Sequence, residues 1–133
     1  MPGYVEEKKI LIVEDEKVIA DSLAQILCAH EYEARVAYSA ETAICMLDWW
    51  SPDLAILDVM LPKMNGIEFA GVLKDLCPEC RILLFSGQPS VEILVDKAKR
   101  EGRVFDILAK PVHPLVMLDA VSMLLTPKWG VAR

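Results

Sequence analysis

Short apolar runs recur along the chain and are separated by longer segments with a helical period. Each run is brief and nearly continuous, which is typical of a strand buried on both faces of a parallel sheet. The second run is the weakest, because only Val36 and Ala37 form its centre. The pattern predicts strands at residues 10–13, 36–37, 54–57, 82–85 and 104–109.

The segments between these runs carry apolar residues at the spacing of an amphipathic helix. In the first segment, Ile19, Leu23 and Ile26 fall on one helical face. Ser39 is placed to cap the second helix, and Pro114 is placed to open the last one. The predicted helices span residues 16–30, 40–49, 67–76, 90–100 and 114–125.

Strands and helices therefore alternate five times, which predicts an α/β fold with a doubly wound five-stranded parallel sheet. Right-handed crossovers favour the strand order 2-1-3-4-5, with helices on both faces of the sheet. The length suits a single domain. We expect this domain to span residues 9–125, between a frayed N-terminus at 1–8 and a C-terminal tail at 126–133.

The net charge and the lengths of the apolar runs exclude some classes of function. The 133 residues carry a net charge of −6, which argues against direct nucleic-acid binding, because phosphate contacts need a basic face. No apolar run reaches the length of a membrane span, and the N-terminus has no signal-peptide core. We therefore expect a cytoplasmic protein that does not contact a membrane.

Polar residues stand where the predicted strands end. Strand one is followed by Glu14 and Asp15, strand three by Asp58, strand four by Ser86 and strand five by Lys110. These ends share one edge of a parallel sheet, so three acids, a hydroxyl and a lysine should converge there. Each close pair of carboxylates costs about 4 kcal/mol at an effective dielectric constant near 20. A divalent cation offsets this repulsion, and oxygen ligands of this kind suit Mg²⁺.

The stretch from Asp58 to Gly66 has the spacing D-x-x-x-P-x-x-N-G. It resembles the phosphoacceptor loop of response regulator receiver domains, and the resemblance extends over about residues 9–125. It is carried by an ordered set of motifs, namely Glu14-Asp15, Asp58, Pro62, Gly66, Ser86-Gly87 and Lys110-Pro111.

The resemblance implies that Asp58 accepts a phosphoryl group from a phosphohistidine. The donor would be a sensor histidine kinase or a histidine phosphotransfer protein. Asp15 would bind Mg²⁺ directly and Glu14 mainly through water, with the Asp58 carboxylate and the backbone carbonyl of Met60 as further ligands.

The family pattern also assigns Ser86 to a phosphoryl oxygen and Lys110 to the phosphate. The activity would be limited to self-catalysed phosphoryl transfer and slow autodephosphorylation, so the chain is not expected to be an enzyme with a separate substrate. A downstream protein effector is expected. The resemblance leaves the oligomeric state open between a monomer and a homodimer, since family members often dimerise through the face between strand four and the last helix.

One position departs from the family pattern. Receiver domains usually carry an aromatic residue three positions before the strand-five lysine, and it moves inward with the Ser or Thr that contacts the phosphoryl group. That position is Ile107 here, beside an intact Ser86. An aliphatic side chain lacks the ring rotamers of Tyr, so we expect phosphorylation with an altered conformational readout.

Two other functions fit parts of the pattern. An aspartyl-phosphate phosphatase would need a second acid two residues after Asp58, where Met60 stands. A phosphorylation-independent interaction module on a receiver fold would tolerate Ile107 but has no need for clustered acids. Taken singly, each acid, Ser86 and Lys110 also has an ordinary structural explanation, and only their joint placement favours the phosphoacceptor.

Four cysteines remain outside this pattern. Cys28 and Cys45 fall inside predicted helices and are expected to be buried or half-buried. Cys77 and Cys80 form a single C-x-x-C in the connection between a helix and a strand. With no second pair or histidine cluster nearby, we interpret this pair as structural rather than redox-active or metal-binding.

Overall fold

The computed structural model describes residues 7–87, 96, 99–100, 106–110 and 112–126. In these residues it has five strands and four longer helices. The strands are β1 (Lys9–Val13), β2 (Glu33–Ala37), β3 (Leu54–Asp58), β4 (Arg81–Ser86) and β5 (Asp106–Ala109). The helices are α1 (Lys17–Ala29), α2 (Ala40–Met46), α3 (Gly66–Leu76) and α4 (Pro114–Leu125). Within the described residues, no helix combines the length and the apolar character needed to cross a membrane.

All five strands are parallel and lie in the order β2-β1-β3-β4-β5. The predicted α/β fold and strand order are therefore confirmed. The register pairs Val13 with Leu57, Asp58 with Phe85 and Ser86 with Ala109. The carboxyl ends of β1, β3, β4 and β5 consequently meet at one edge of the sheet.

Among the described residues, the core divides into two apolar clusters, one on each face of the sheet. Alternate residues of β1 and β3 go to opposite clusters, as the two-residue period of a strand requires. Leu11 and Leu57 face the cluster that includes α2 and α3, while Ile12 and Ile56 face the cluster that includes α1 and α4. Burial on both faces explains why these strands are continuous apolar runs.

A capping residue in the sequence accounts for the start of helix α2. The Ser39 side chain accepts a hydrogen bond from the Thr42 backbone N–H, which confirms it as the N-cap of α2.

Helix α2 is shorter than predicted, because it ends at Met46 instead of continuing to residue 49. The chain there forms turns in which Trp50 is buried and its Nε1 donates to Glu33 on β2 at 2.8 Å. This inward turn toward the sheet diverts the chain from the helix axis.

Some predicted segments fall outside the described residues. Of the helix predicted at 90–100, residues 96, 99 and 100 are described and are helical. Residues 104 and 105 of the fifth predicted strand lie outside, as do most of the predicted N-terminal and C-terminal tails.

The prediction of buried or half-buried Cys28 and Cys45 is wrong. Both thiols are exposed, because they lie on the outer faces of their helices next to the buried Leu27 and Met46. The C-x-x-C pair lies in the predicted connection, between α3 and β4. There the Cys80 backbone N–H donates to the Cys77 carbonyl at 3.0 Å, and Cys80 is buried.

Candidate functional site

Three carboxylates converge at the carboxyl edge of the sheet. Glu14, Asp15 and Asp58 each offer one oxygen, and these oxygens all lie within 4.8 Å of one another. Glu14 and Asp15 directly follow β1, while Asp58 is the last residue of the neighbouring β3. The structure therefore brings together the three acids that the sequence pattern predicts to meet.

Lys110 supplies positive charge to this cluster from the end of β5. Its Nζ lies 2.7 Å from Glu14 Oε1 and 3.3 Å from Asp58 Oδ2. Its backbone N–H donates to the Ser86 carbonyl at 2.8 Å, which ties the lysine to the end of β4. Ser86 itself is buried at that strand end.

Burial dominates the electrostatics of Glu14. The side chain is fully buried, and the loss of solvent raises its pKa from 4.5 to about 7, helped by the charge of Asp58. Hydrogen bonds from Lys110 and from the Glu16 backbone N–H act in the opposite direction and are outweighed. For Lys110, burial disfavours the charged form, but Glu14 and Asp58 outweigh it and raise its pKa. Burial and the neighbouring negative charge thus favour the protonated form of Glu14 over the charged form.

The loop after Asp58 is tightly packed against the strand end. The Met60 backbone N–H donates to Asp58 Oδ1 at 3.1 Å, and the Gly66 N–H donates to the Val59 carbonyl at 2.8 Å. A Cβ atom at Gly66 would overlap the Asp58 carbonyl oxygen and the Val59 Cα. Gly66 is thus required by close backbone approach, and Asn65 caps α3 directly before it.

A cavity of about 250 Å³ opens over the cluster. It is lined by Asp15, Glu16, Asp58, Met60, Gly87 and Lys110. Carboxylates with a nearby backbone carbonyl form a hard oxygen donor set, and Mg²⁺ prefers such a set. Burial is the main cause of the raised pKa of Glu14, and the negative charge of Asp58 adds to it, so a further positive charge would be favourable here. The residues present therefore fit a divalent cation.

An apolar groove adjoins this cavity, and the two share Lys110. The groove encloses about 400 Å³ and lies along α1. Its lining consists of Val18, Ile19, Ser22, Leu23, Ile26, Phe85, Lys110 and Val112.

Two features of the site were not predicted from the sequence. The sequence placed Lys110 at the same edge as the acids and the family resemblance assigned it to the phosphate, but its direct pairing with Glu14 and Asp58 was not predicted. Phe85 also lies against the site, with its ring centroid 5.0 Å from Lys110 Nζ. Its only sequence signal is its position directly before Ser86 at the end of an apolar run.

The second predicted switch residue lies apart from the cavity. Ile107 is on β5, 37% exposed, and is absent from the cavity lining. Its neighbour across the sheet is Leu84. The structure thus brings Ser86 to the edge of the site and places Ile107 further along the strand.

Comparison with known proteins agrees with this geometry. Residues 10–122 match the family model of the response regulator receiver domain. A CheY-like response regulator receiver domain protein from Methanospirillum hungatei superposes with a TM-score of 0.81 at 31% identity, covering 90% of this chain and 94% of that chain. The BeF3-activated DrrB receiver domain superposes with a TM-score of 0.77 at 27% identity, covering 90% and 98% of the two chains.

The chain is also similar in sequence to parts of longer proteins. An uncharacterized response regulatory protein of Staphylococcus epidermidis is 31% identical over 107 residues, which are 78% of this chain and 41% of the relative. The response regulator protein FleR of Pseudomonas aeruginosa is 32% identical over 114 residues, which are 86% of this chain and 24% of FleR. The chain thus spans less than half the length of these relatives. It belongs to the response regulator receiver domain family of two-component systems.

Proposed function

We propose that Asp58 is the phosphoacceptor of a two-component system or phosphorelay. The observation that carries this proposal is the position of Asp58. It ends β3 beside two further carboxylates and a lysine, and it lines an open cavity of about 250 Å³. A cluster of like charges has no role in packing, whereas phosphoryl transfer depends on charge neutralisation and positioning.

In the proposed reaction, a carboxylate oxygen of Asp58 attacks the phosphorus of a phosphohistidine. The new O–P bond forms as the P–N bond breaks, and the imidazole of the partner leaves. Asp58 Oδ1 accepts a hydrogen bond from the Met60 N–H, and Oδ2 faces the Lys110 ammonium. The Ser86 hydroxyl and the Lys110 ammonium are assigned to the transferred phosphoryl oxygens.

The same site is proposed to hold Mg²⁺. Asp15, Asp58 and the Met60 carbonyl would be direct ligands, and Glu14 would act mainly through water. The ion would supply positive charge to the acidic cluster and to the phosphoryl oxygens. The close approach of Glu14, Asp15 and Asp58 supports this donor set.

We propose an altered readout at Ser86 and Ile107. Ile107 is an exposed aliphatic residue on β5, so it cannot report on Ser86 through the movement of a ring. Chemical-shift mapping with and without acetyl phosphate tests this idea. We expect chemical-shift changes for residues around Asp58 and Ser86 but not for Ile107. Chemical-shift changes throughout β4 and β5 would indicate a full rearrangement and would contradict the altered readout.

The apolar groove beside the cavity offers a surface for the protein that donates the phosphoryl group. We propose that a sensor histidine kinase or a histidine phosphotransfer protein uses the apolar groove beside the cavity. A downstream protein effector would respond to the phosphorylation state of Asp58. This chain itself would not bind nucleic acid directly. Self-association remains a prediction, for which the exposed side chains of Leu115, Val116 and Met123 on α4 offer an apolar surface.

The proposed module spans residues 9–125 and works in the cytoplasm. It performs phosphoryl transfer to its own Asp58 and slow autodephosphorylation, with no other substrate. Because the relatives are longer, the same receiver could act alone or within a larger regulator, and its output depends on that context.

Intact-mass spectrometry after incubation with acetyl phosphate and Mg²⁺ tests the proposal. We expect one added phosphoryl group on the native protein, none without Mg²⁺ and none in Asp58→Asn. Asp48→Asn, a substitution at an exposed acid on another surface, is the matched control and should be phosphorylated normally. Absence of any adduct, together with partner binding that is unchanged in Asp58→Asn, would favour a phosphorylation-independent interaction module.

A further inference from the structure

The Lys110 ammonium lies over the face of an aromatic ring as well as beside two carboxylates. Its Nζ is 5.0 Å from the centroid of the Phe85 ring. A cation within about 6 Å of a ring face is attracted by the negative face of the ring quadrupole. The ammonium is therefore held by three groups, namely Glu14, Asp58 and Phe85.

Strand register explains why Phe85 can reach this lysine. Phe85 is the neighbour of Asp58 across β3 and β4, and it directly precedes Ser86. The Ser86 carbonyl accepts the hydrogen bond from the Lys110 backbone N–H. The backbone of Lys110 is thus fixed next to β4, and its ammonium lies over the Phe85 ring and beside the two carboxylates.

The ring adds a constraint that the carboxylates do not provide. A lysine side chain has four rotatable bonds, so holding its ammonium in one place carries a conformational entropy cost. Phe85 is only 4% exposed and is packed in an apolar cluster, which restricts the movement of the ring. A leucine would fill much of the same space but would present no charge-attracting face.

We propose that Phe85 is a positioning residue that holds the Lys110 ammonium for phosphoryl transfer at Asp58. This inference rests on the function proposed above for Asp58. If Phe85 only packs in the core, the rate of phosphoryl transfer would depend on the volume of its side chain and not on the negative charge of the ring face.

The same ring also forms part of the wall of the apolar groove along α1. Phe85 and Lys110 line this groove together, and Lys110 alone of the two lines the acidic cavity. The ring thus borders the groove and also lies against the Lys110 ammonium. A side chain of a docked partner would touch the residue that holds Lys110.

Two measurements test the proposal. The first is the proton chemical shift of the Lys110 ε-methylene group, which a ring face moves upfield. We expect this upfield shift in the native protein and its loss in Phe85→Leu. An ε-methylene shift equal to that of exposed lysines in the native protein would overturn the proposal, whether or not Asp58 is phosphorylated.

The second measurement is the rate of adduct formation with acetyl phosphate and Mg²⁺ in a fluorinated series. Mono-, di- and trifluorophenylalanine at position 85 keep the ring shape while withdrawing electrons from its face. We expect the rate to fall stepwise, by about 3- to 10-fold at trifluorophenylalanine, with the free energy of unfolding nearly unchanged. The same substitutions at Phe69, which is buried in the opposite cluster, should leave the rate unchanged.

The two proposals fail in different ways. Native protein that forms an adduct at the same rate as the fluorinated variants would overturn the positioning role and leave the phosphoacceptor intact. Native protein that forms no adduct would contradict the phosphoacceptor, and the ε-methylene shift would still decide whether Phe85 holds Lys110.

Discussion

The Lys110 ammonium lies 2.7 Å from the Glu14 carboxylate, although the two residues are 96 positions apart in the chain. The same ammonium lies 3.3 Å from Asp58, so one lysine faces two acids that belong to a cluster of three. Negative charge therefore exceeds positive charge at this edge of the sheet. The predictions below follow from that excess and from the packing around it.

The stability of the metal-free protein should fall as the pH rises from about 4.5 to about 7. Burial raises the pKa of Glu14 from 4.5 to about 7, so the folded state binds this proton more tightly than the unfolded state. This contribution to the free energy of unfolding is complete below about pH 4.5 and is lost as the pH rises through 7, for a change on the order of 3 kcal/mol. Urea denaturation in the presence of a chelator, at a series of pH values, measures it.

Glu14→Gln is the matched variant for this pH dependence. The amide keeps the shape of the side chain but cannot ionise, so the decline in unfolding free energy between pH 5 and 8 should largely disappear. An unchanged pH profile in this variant would assign the effect to another group.

Mg²⁺ should stabilise the folded protein through the acidic cluster. A ligand that binds only the folded state adds about 2.7 kcal/mol at a hundredfold excess over its Kd. The stabilisation should grow between pH 5 and 8, since Mg²⁺ competes with the proton on Glu14. Thermal unfolding with and without Mg²⁺ measures both effects.

Asp15→Asn should remove most of the Mg²⁺ stabilisation, while Asp48→Asn should retain it. Both substitutions remove one negative charge from an exposed side chain, but only Asp15 belongs to the cluster. Equal losses in the two variants would indicate a nonspecific effect of net charge.

Gly66→Ala should destabilise the protein by about 1–3 kcal/mol, which is the usual cost of overpacking. The added methyl group would overlap the Asp58 carbonyl and the Val59 Cα, and backbone atoms cannot rotate away. Phosphorylation of Asp58 should slow as well, because the strand end must shift. The free energy of unfolding in urea and the rate of adduct formation are the two readouts.

Gly71→Ala, in the same helix, is the control for this change. Alanine is a better helix former than glycine, so this variant should be as stable as the native protein or slightly more stable. If Gly66→Ala behaves like Gly71→Ala, the close approach at Asp58 is not a constraint.

The cysteines should differ sharply in reactivity toward iodoacetamide. Cys28 and Cys45 are exposed and should be alkylated rapidly in the native protein. Burial raises the pKa of the Cys80 thiol to about 12, so only about one molecule in ten thousand carries the reactive thiolate near pH 8. Peptide mapping by mass spectrometry should show Cys80 protected until urea unfolds the chain.

Labelling of Cys77 tests the structural interpretation of the C-x-x-C pair. We expect equal alkylation of Cys77 under reducing and oxidising conditions. Loss of labelling under oxidising conditions alone would indicate a Cys77–Cys80 disulfide and would contradict that interpretation.

The sequence by itself determines the fold class and the residues that end the strands. Alternation of apolar runs with helical periods depends on local geometry, and parallel strands have only one edge at which their carboxyl ends meet. For this reason Glu14, Asp15, Asp58, Ser86 and Lys110 could be assigned to one edge of the sheet from their order alone.

Only the tertiary structure decided how these residues contact one another. The pairing of Lys110 with Glu14, the ring of Phe85 over that lysine and the approach of Gly66 to the Asp58 carbonyl depend on strand register and side-chain direction. The exposure of Cys28 and the early end of α2 depend on packing between elements. Such contacts join residues that are distant in the chain at separations of a few ångströms, and no periodic pattern of apolar and polar positions encodes separations of that size.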